Sequence, residues 1–337
     1  MFVKKVNILS IVSVSVFLSF LFLGVNSFAT NNSDCYRDIF DAAKDGDFVR
    51  LEECIKQNDV DINSVNKDGK TLLYIASSEN NFVLVKFLLQ NGAGKSVEKA
   101  VAGWTPLYNA CYNNNLDMVR YLVDNGADKS INKDNNIWKR TPLYWACRNN
   151  NLEMVKYLLS KGAAEKIDTE TAFFGGTNLY WACYNGNLSM IKCLVAAGAD
   201  INKVTTYDET LLYWACKFNN MVIFNYLLEC WGKNLFNFPE IIKITNKHTN
   251  ESALYWASHN NNFDMVKYLI DNGAKEMIND LFRDNNKTVL YWACYYNNFK
   301  MVRYLIDNGA NIDQESLNIS VGNSRIRKYF QENIKHR

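Results

Sequence analysis

Proline occurs only three times in 337 residues, and histidine only three times. So little proline leaves no long proline-rich linker. The histidines, His248, His259 and His336, fall at no metal-ligand spacing, and Cys and His do not cluster into a zinc pattern. Charge of one sign is lacking as well. The formal net charge is +2, which argues against the dense basic face that a nucleic-acid binder needs. Motifs for chemistry are missing too. No G-x-x-x-x-G-K-S/T phosphate loop, G-x-S-x-G elbow or H-E-x-x-H helix occurs. No paired acid, base or nucleophile stands out, so no catalytic residue, metal ligand or cofactor is assigned and the chain reads as a non-enzyme.

What is present is largely apolar. Hydrophobic residues make up 48% of the chain, enough to bury a large core. Asn, Lys, Ile and Tyr are abundant, which reads as the coding bias of an A/T-rich genome.

The first thirty residues differ from the rest. Lys4 and Lys5 precede an apolar run from about Val6 to Val25, and Ser27 and Ala29 follow as small residues before Thr30. That three-part pattern predicts a signal peptide over residues 1–29, cleaved before Thr30. An uncleaved anchor is the alternative, because the run is nearly long enough to span a bilayer. The mature chain is expected to be exported, periplasmic or secreted, with no membrane attachment after cleavage. Cys35 follows Asn32, Ser33 and Asp34, which is no lipobox.

Beyond that segment the chain repeats itself. A Thr, once Ser, recurs at Thr71, Thr105, Thr141, Thr177, Thr210, Ser252 and Thr288, with spacings of 34, 36, 36, 33, 42 and 36. Each opens T-x-L-Y-x-A-C/S, then an Asn-rich turn, then an apolar block such as Leu116–Asp128. A weaker unit, Ile39–Asn63, precedes them, which makes about eight. In the unit that starts at Thr141, Leu143, Ala146 and Cys147 share one face of a short helix. Arg148–Asn151 is the turn. Met154, Val155, Leu158 and Leu159 form the core stripe of a second helix, and Gly162 sits where a left-handed C-cap belongs. No single hairpin buries its stripe alone, so the units must stack as a solenoid.

These residues closely resemble ankyrin repeats. The resemblance implies an all-α ankyrin-repeat solenoid of about eight helix-turn-helix units, with β-hairpin or loop fingers and a concave face built from the fingers and first helices. Repeats are expected near 36–66, 68–101, 102–137, 138–173, 174–206, 207–248, 249–284 and 285–316, with a C-terminal cap over 317–337 that places Ile326, Tyr329 and Phe330 on one side. The family's usual His after Leu is Tyr here in all seven full units (Tyr74, Tyr108, Tyr144, Tyr180, Tyr213, Tyr255, Tyr291), so its hydrogen-bond network must differ. Residues 229–248 break the pattern and read as an extended finger or an extra short helix, either a packing plug or a recognition element.

Nine cysteines in an exported chain suggest disulfides. Yet Cys111, Cys147, Cys183, Cys216 and Cys294 occupy one repeat position. Equivalent atoms of stacked helices lie roughly 8–10 Å apart, beyond the about 7 Å that a disulfide spans. These five are expected to be free, buried core residues. Cys35 and Cys54 flank the first hairpin and are a candidate pair across it, the alternative being that Cys54 fills a core leucine position.

Each tryptophan of the Tyr-Trp-Ala-Cys/Ser step points about 200° away from the core leucine before it. The residues three and four positions on share its face. The resulting stripes are Trp145, Arg148, Asn149; Trp181, Tyr184, Asn185; Trp214, Lys217, Phe218; Trp256, His259, Asn260; and Trp292, Tyr295, Tyr296, with Asn109, Tyr112 and Asn113 before them. In an ankyrin-like stack this face is the concave groove. The stripe is either a recognition surface for a protein or peptide or a set of rings that stiffen the stack by leaning on one another. A glycan-binding solenoid with stacked aromatics is the alternative function. The chain is expected to be a monomeric scaffold.

Overall fold

A computed structural model describes residues 32–56, 60–171, 176–232, 238–282 and 286–334. The expected signal segment and its cleavage point before Thr30 lie outside the described residues. The Cys35–Cys54 pair lies outside them as well, since the Cys35 side chain is not described. Nineteen α-helices and no named strand are found among the described residues, so the chain is an all-α repeat structure. None of these helices is long and apolar enough to cross a membrane.

The chain divides into two compact units, one ending at Asp61 and one beginning at Ile62. The first holds a hairpin of helices Asn32–Asp45 and Phe48–Lys56. Asp47 starts its second helix, with Oδ1 accepting from the Arg50 N–H at 3.1 Å.

From Ile62 onward, each repeat opens with a short helix: Leu72–Ser78, Pro106–Tyr112, Pro142–Arg148, Asn178–Tyr184, Leu211–Lys217, Ala253–His259 and Val289–Tyr295. The recurring Thr or Ser is the N-cap of each. The Thr141 hydroxyl accepts from the Tyr144 N–H at 3.1 Å, and the same bond recurs at Thr71, Thr105, Thr177, Thr210, Ser252 and Thr288. Each first helix packs beside that of the next repeat. Small residues allow this approach: Ala146, Ala182, Ala215, Ala257 and Ala293 are fully buried. The second helices are Phe82–Gln90, Leu116–Asp124, Leu152–Ser160, Leu188–Ala196, Met221–Gly232, Phe263–Asp271 and Phe299–Asp307. Met154, Val155 and Leu158 are buried as the stripe requires, and Leu159 is half-buried. Gly162 has φ +99°, the left-handed geometry expected of it.

The asparagines carry a role that composition does not show. Each turn between helices uses up to three of them, and each does something different. The first donates backward: Asn149 Nδ2 meets the carbonyls of Cys111 and Tyr112 at 3.1 and 3.3 Å, and Asn113, Asn185 and Asn260 likewise donate to the repeat before their own. These carbonyls end the preceding first helix and have no partner within it. The second adopts positive φ, as at Asn114 (57°) and Asn150 (56°), a geometry Asn tolerates better than other side chains. The third caps the second helix through Oδ1 and donates Nδ2 to the second asparagine of the preceding repeat. Asn151 bonds Asn114 at 2.7 Å and Asn187 bonds Asn150 at 2.7 Å. At these turn positions the asparagines form a repeating inter-repeat clasp, a structural role that composition by itself does not show.

The described fingers are loops, not β-hairpins. Isolated bridges join Val65 to Thr71, Val101 to Trp104 and Thr245 to Ser252. Side chains take up the finger backbone instead. Asn66 Oδ1 accepts from Asp68 and Lys70, Thr205 Oγ1 from Tyr207 and Glu209, and Asn246 Oδ1 from His248 and Thr249. Such local turns compete with a strand ladder.

The irregular segment holds a second helix prolonged to Gly232 and an added short helix, Phe238–Lys243. Residues 233–237 between them lie outside the described set. Trp231 is buried and its indole N–H donates to Asn202 at 2.8 Å, while Ile241 and Ile242 are buried. These contacts pack both helices of the segment against the stack, while Asn246 and His248 at its end face a cleft. The last helix, Ser324–Ile334, buries Ile326 and Phe330, and its Tyr329 hydroxyl donates to Asp307 at 2.9 Å.

Candidate functional site

The site is built on the tyrosine of each first helix and the tryptophan that follows it in five of the seven. Tyr144 and Trp145 are neighbours in sequence, with ring centroids 5.2 Å apart and planes at 85°. Tyr144 then meets Trp181 of the next repeat at 5.7 Å and 89°. Tyr180 meets Trp181 and Trp214, Tyr213 meets Trp214 and Trp256, and Tyr255 meets Trp256 and Trp292. Tyr108 starts the run by meeting Trp145 at 6.2 Å. The rings alternate edge to face, the arrangement that aromatic quadrupoles favour. The result is a continuous Tyr/Trp spine across successive repeats.

Burial pushes the Tyr108 hydroxyl up to about 12, partly offset by the Trp145 indole N–H beside it. Tyr144 and Tyr213 are raised by burial too and stand in the same relation to Trp181 and Trp256. The approach is too poorly aligned to be a straight hydrogen bond, since no indole N–H of the five tryptophans meets an acceptor in good geometry. Those of Trp145, Trp181 and Trp256 lie beside the hydroxyls of Tyr108, Tyr144 and Tyr213, a weaker contact.

The residues three positions past each tryptophan lie between successive rings. The Arg148 guanidinium is 5.0 Å from the Trp145 ring and 5.4 Å from that of Trp181. Lys217 lies 4.7 Å from Trp214 and 4.6 Å from Trp256. His259 lies 5.1 Å from Trp256 and 4.2 Å from Trp292. Tyr184 packs on Trp181 at 5.6 Å and on Phe218 at 5.1 Å, and Tyr295 packs on Trp292 at 5.7 Å. The cations of this face are thus held in cation–π contacts within the chain.

The predicted site residues separate by exposure. Trp145 is 3% exposed, closed over by Tyr112, Arg140 and Arg148, and belongs to the spine. Trp181, Trp214, Trp256 and Trp292 are half-buried, as are Lys217, Phe218 and His259, while Arg148 is exposed. The open edge is formed by Tyr112, Tyr184, Tyr295 and Tyr296, exposed by 48, 53, 51 and 41%. Asn149, Asn185 and Asn260, placed on this face by sequence, have their amides engaged in the clasps described above.

One cleft of about 590 Å³ opens on this face, lined by Tyr180, Tyr207, Glu209, Trp214, Asn246, His248 and Thr249. Sequence reasoning found Trp214 and missed the rest. The signal was there: the position before the capping Thr or Ser carries Lys70, Trp104, Arg140, Gly176, Glu209, Glu251 and Lys287, so acid occurs in two adjacent repeats only. Gly176 has a local reason. A Cβ there would meet the Tyr180 ring at 2.8 Å. Tyr180 lies over this bare position, and its ring comes to 4.7 Å from Trp214, the shortest Tyr-to-next-Trp distance in the spine. Burial, with the field of Glu209 added, pushes the Tyr180 hydroxyl up to about 12. Burial also raises the Glu209 carboxyl, against hydrogen bonds from Asn246 and Thr205.

The five thiols of the repeated position are poor nucleophiles. Cys111, Cys147, Cys183, Cys216 and Cys294 are free and buried, and burial pushes their pKa up, to about 12 at Cys294. Among the described residues, no three His, Cys, Asp or Glu side chains gather as a metal site.

A family profile described as ankyrin repeats (3 copies) matches residues 39–133, 93–171, 129–205, 163–238 and 233–316. Those spans cover most of the chain, which belongs to the ankyrin-repeat family. No curated protein matches it in a sequence search. Ankyrin repeats generally mediate protein–protein interaction, and proteins built from them are generally non-enzymatic scaffolds.

Proposed function

We propose that the chain is a non-enzymatic scaffold that binds a protein or peptide along the face where first helices and fingers meet. The observation that carries this reading is the open aromatic edge of Tyr112, Tyr184, Tyr295 and Tyr296 over a rigid Tyr/Trp spine. Exposed aromatic surface of this kind marks contact sites, and tyrosine and tryptophan are favoured anchors. The spine holds those rings in place before binding, so little rotamer freedom is lost when a partner arrives. A glycan reading is weaker on this geometry. The Asn149, Asn185 and Asn260 amides, which would serve sugar hydroxyls, are spent on backbone carbonyls.

The same reading has the chain act outside the cytoplasm as a monomer, after cleavage before Thr30, in the periplasm or as a secreted protein. N-terminal sequencing of protein recovered from its host checks the export half. An intact Met1 in the mature protein contradicts it. Affinity capture with the mature chain, beside a glycan array, checks the binding half. A protein retained by the chain and released by Tyr184→Ala supports it, and glycan binding with no retained protein contradicts it.

A further inference from the structure

The cleft at Glu209 differs from the rest of the face in holding a buried acid whose side-chain hydrogen-bond donors are both neutral. Glu209 is 7% exposed. Its Oε2 accepts from the Thr205 hydroxyl at 3.1 Å and its Oε1 from the Asn246 amide at 2.7 Å. Both donors are neutral, so neither hydrogen bond brings a positive charge to the carboxylate. Lys217 exerts a field on it. That ammonium, however, is held between the Trp214 and Trp256 rings and donates to the Tyr213 hydroxyl at 3.3 Å. The neighbouring acid, Glu251, is engaged by the Tyr213 hydroxyl at 2.7 Å.

Aromatic side chains line the same opening. Tyr180 and Trp214 form one wall, 4.7 Å apart at 70°. Tyr207 and His248 form another, 5.1 Å apart at 73°. An anion entering here would meet Glu209. A neutral apolar group would cover the carboxylate and leave its charge unpaired, which is costly. A cation gains on both counts, from the carboxylate and from the negative faces of the rings. We propose that this cleft is a cation subsite, which takes the ammonium or guanidinium end of a lysine or arginine side chain of the bound protein or peptide. This inference rests on the reading of the face as a recognition surface.

Small probes test the subsite by itself. The full chain is titrated with the N-acetyl methylamides of lysine, arginine and norleucine, followed by intrinsic tryptophan fluorescence. One or both cations should bind saturably, with the neutral norleucine compound at least tenfold weaker. Glu209→Gln, which keeps an acceptor for Asn246, should weaken cation binding at least tenfold with an unchanged circular dichroism spectrum. The cation-to-neutral comparison on the unaltered chain decides the matter even if that variant folds poorly. The proposal is overturned if neither cation binds, if norleucine binds as well as they do, or if folded Glu209→Gln binds them undiminished. Each of these outcomes would remove the subsite and leave partner capture through Tyr184 untouched.

Discussion

Asn151 donates its side-chain amide to the Asn114 side-chain oxygen of the preceding repeat, 2.7 Å away, while its own oxygen caps the Leu152–Ser160 helix by accepting from Met154 at 3.0 Å. The two halves of one amide thus do two jobs, one within the repeat and one between repeats. A solenoid gains its stability from such nearest-neighbour contacts as well as from each repeat alone.

Asn151→Asp separates the two jobs. Aspartate caps a helix as well as asparagine does, but it has no N–H for Asn114 and sets oxygen against oxygen. The variant should lose about 1 kcal/mol of stability in urea unfolding, the size of one net hydrogen bond. An unchanged midpoint would show that the rung contributes nothing.

Ser258 is the next test. It holds the position of the buried cysteines, is fully buried, and its hydroxyl meets no acceptor. Ser77, at the same position, donates to the Leu73 carbonyl at 2.7 Å. Ser258→Cys should therefore stabilise the chain by about 1–3 kcal/mol, the usual cost of an unsatisfied buried group, and Ser77→Cys should gain less. Thiol labelling of native protein should leave Cys111, Cys147, Cys183, Cys216 and Cys294 unreacted, and all five should react once it is unfolded. A lower melting temperature for Ser258→Cys would contradict the packing described.

Much of this was legible in the sequence. The spacing of Leu143, Ala146 and Cys147 marked the first helix and Gly162 the end of the second, because those features depend on near neighbours, whereas the cap formed by Thr141 appeared only in the structure. The cysteine position gave burial, because stacked equivalents cannot bridge. The clasp of Asn114 and Asn151 was not legible as a contact, since it joins residues 37 apart through side chains. Its only trace was the fixed repeat position of the asparagines. Trp145 and Trp214 look alike in sequence, yet one is closed over by Arg140 and Tyr112 and the other borders a cleft. That difference is set by the residue before each capping Thr and by the finger of the following repeat.

Glu209 gives a pH-dependent prediction. Its pKa in the fold lies above the ordinary carboxylate value, because burial disfavours the charged form. The folded state therefore binds the proton more tightly than the unfolded chain does. Deprotonation costs the fold stability, and the loss accrues as pH rises from the unfolded pKa of about 4.3 through the raised folded one. Glu209→Gln should melt like the unaltered chain below that window and higher at neutral pH. Thermal melts of both proteins from about pH 4 to about pH 8 check this. A variant that melts lower at neutral pH would contradict the cost assigned to the carboxylate.

The central claim is that the spine supports and the open edge recognises. Partner affinity measured by titration calorimetry for Tyr184→Ala, beside Trp145→Ala, tests it most directly. Tyr184→Ala should weaken the captured partner at least tenfold, about 1.4 kcal/mol, with little change in melting. Trp145→Ala should lose about 3–5 kcal/mol of stability, while its folded fraction binds the partner with nearly full affinity. The account is contradicted if Tyr184→Ala binds like the unaltered chain and the loss of affinity follows Trp145 instead.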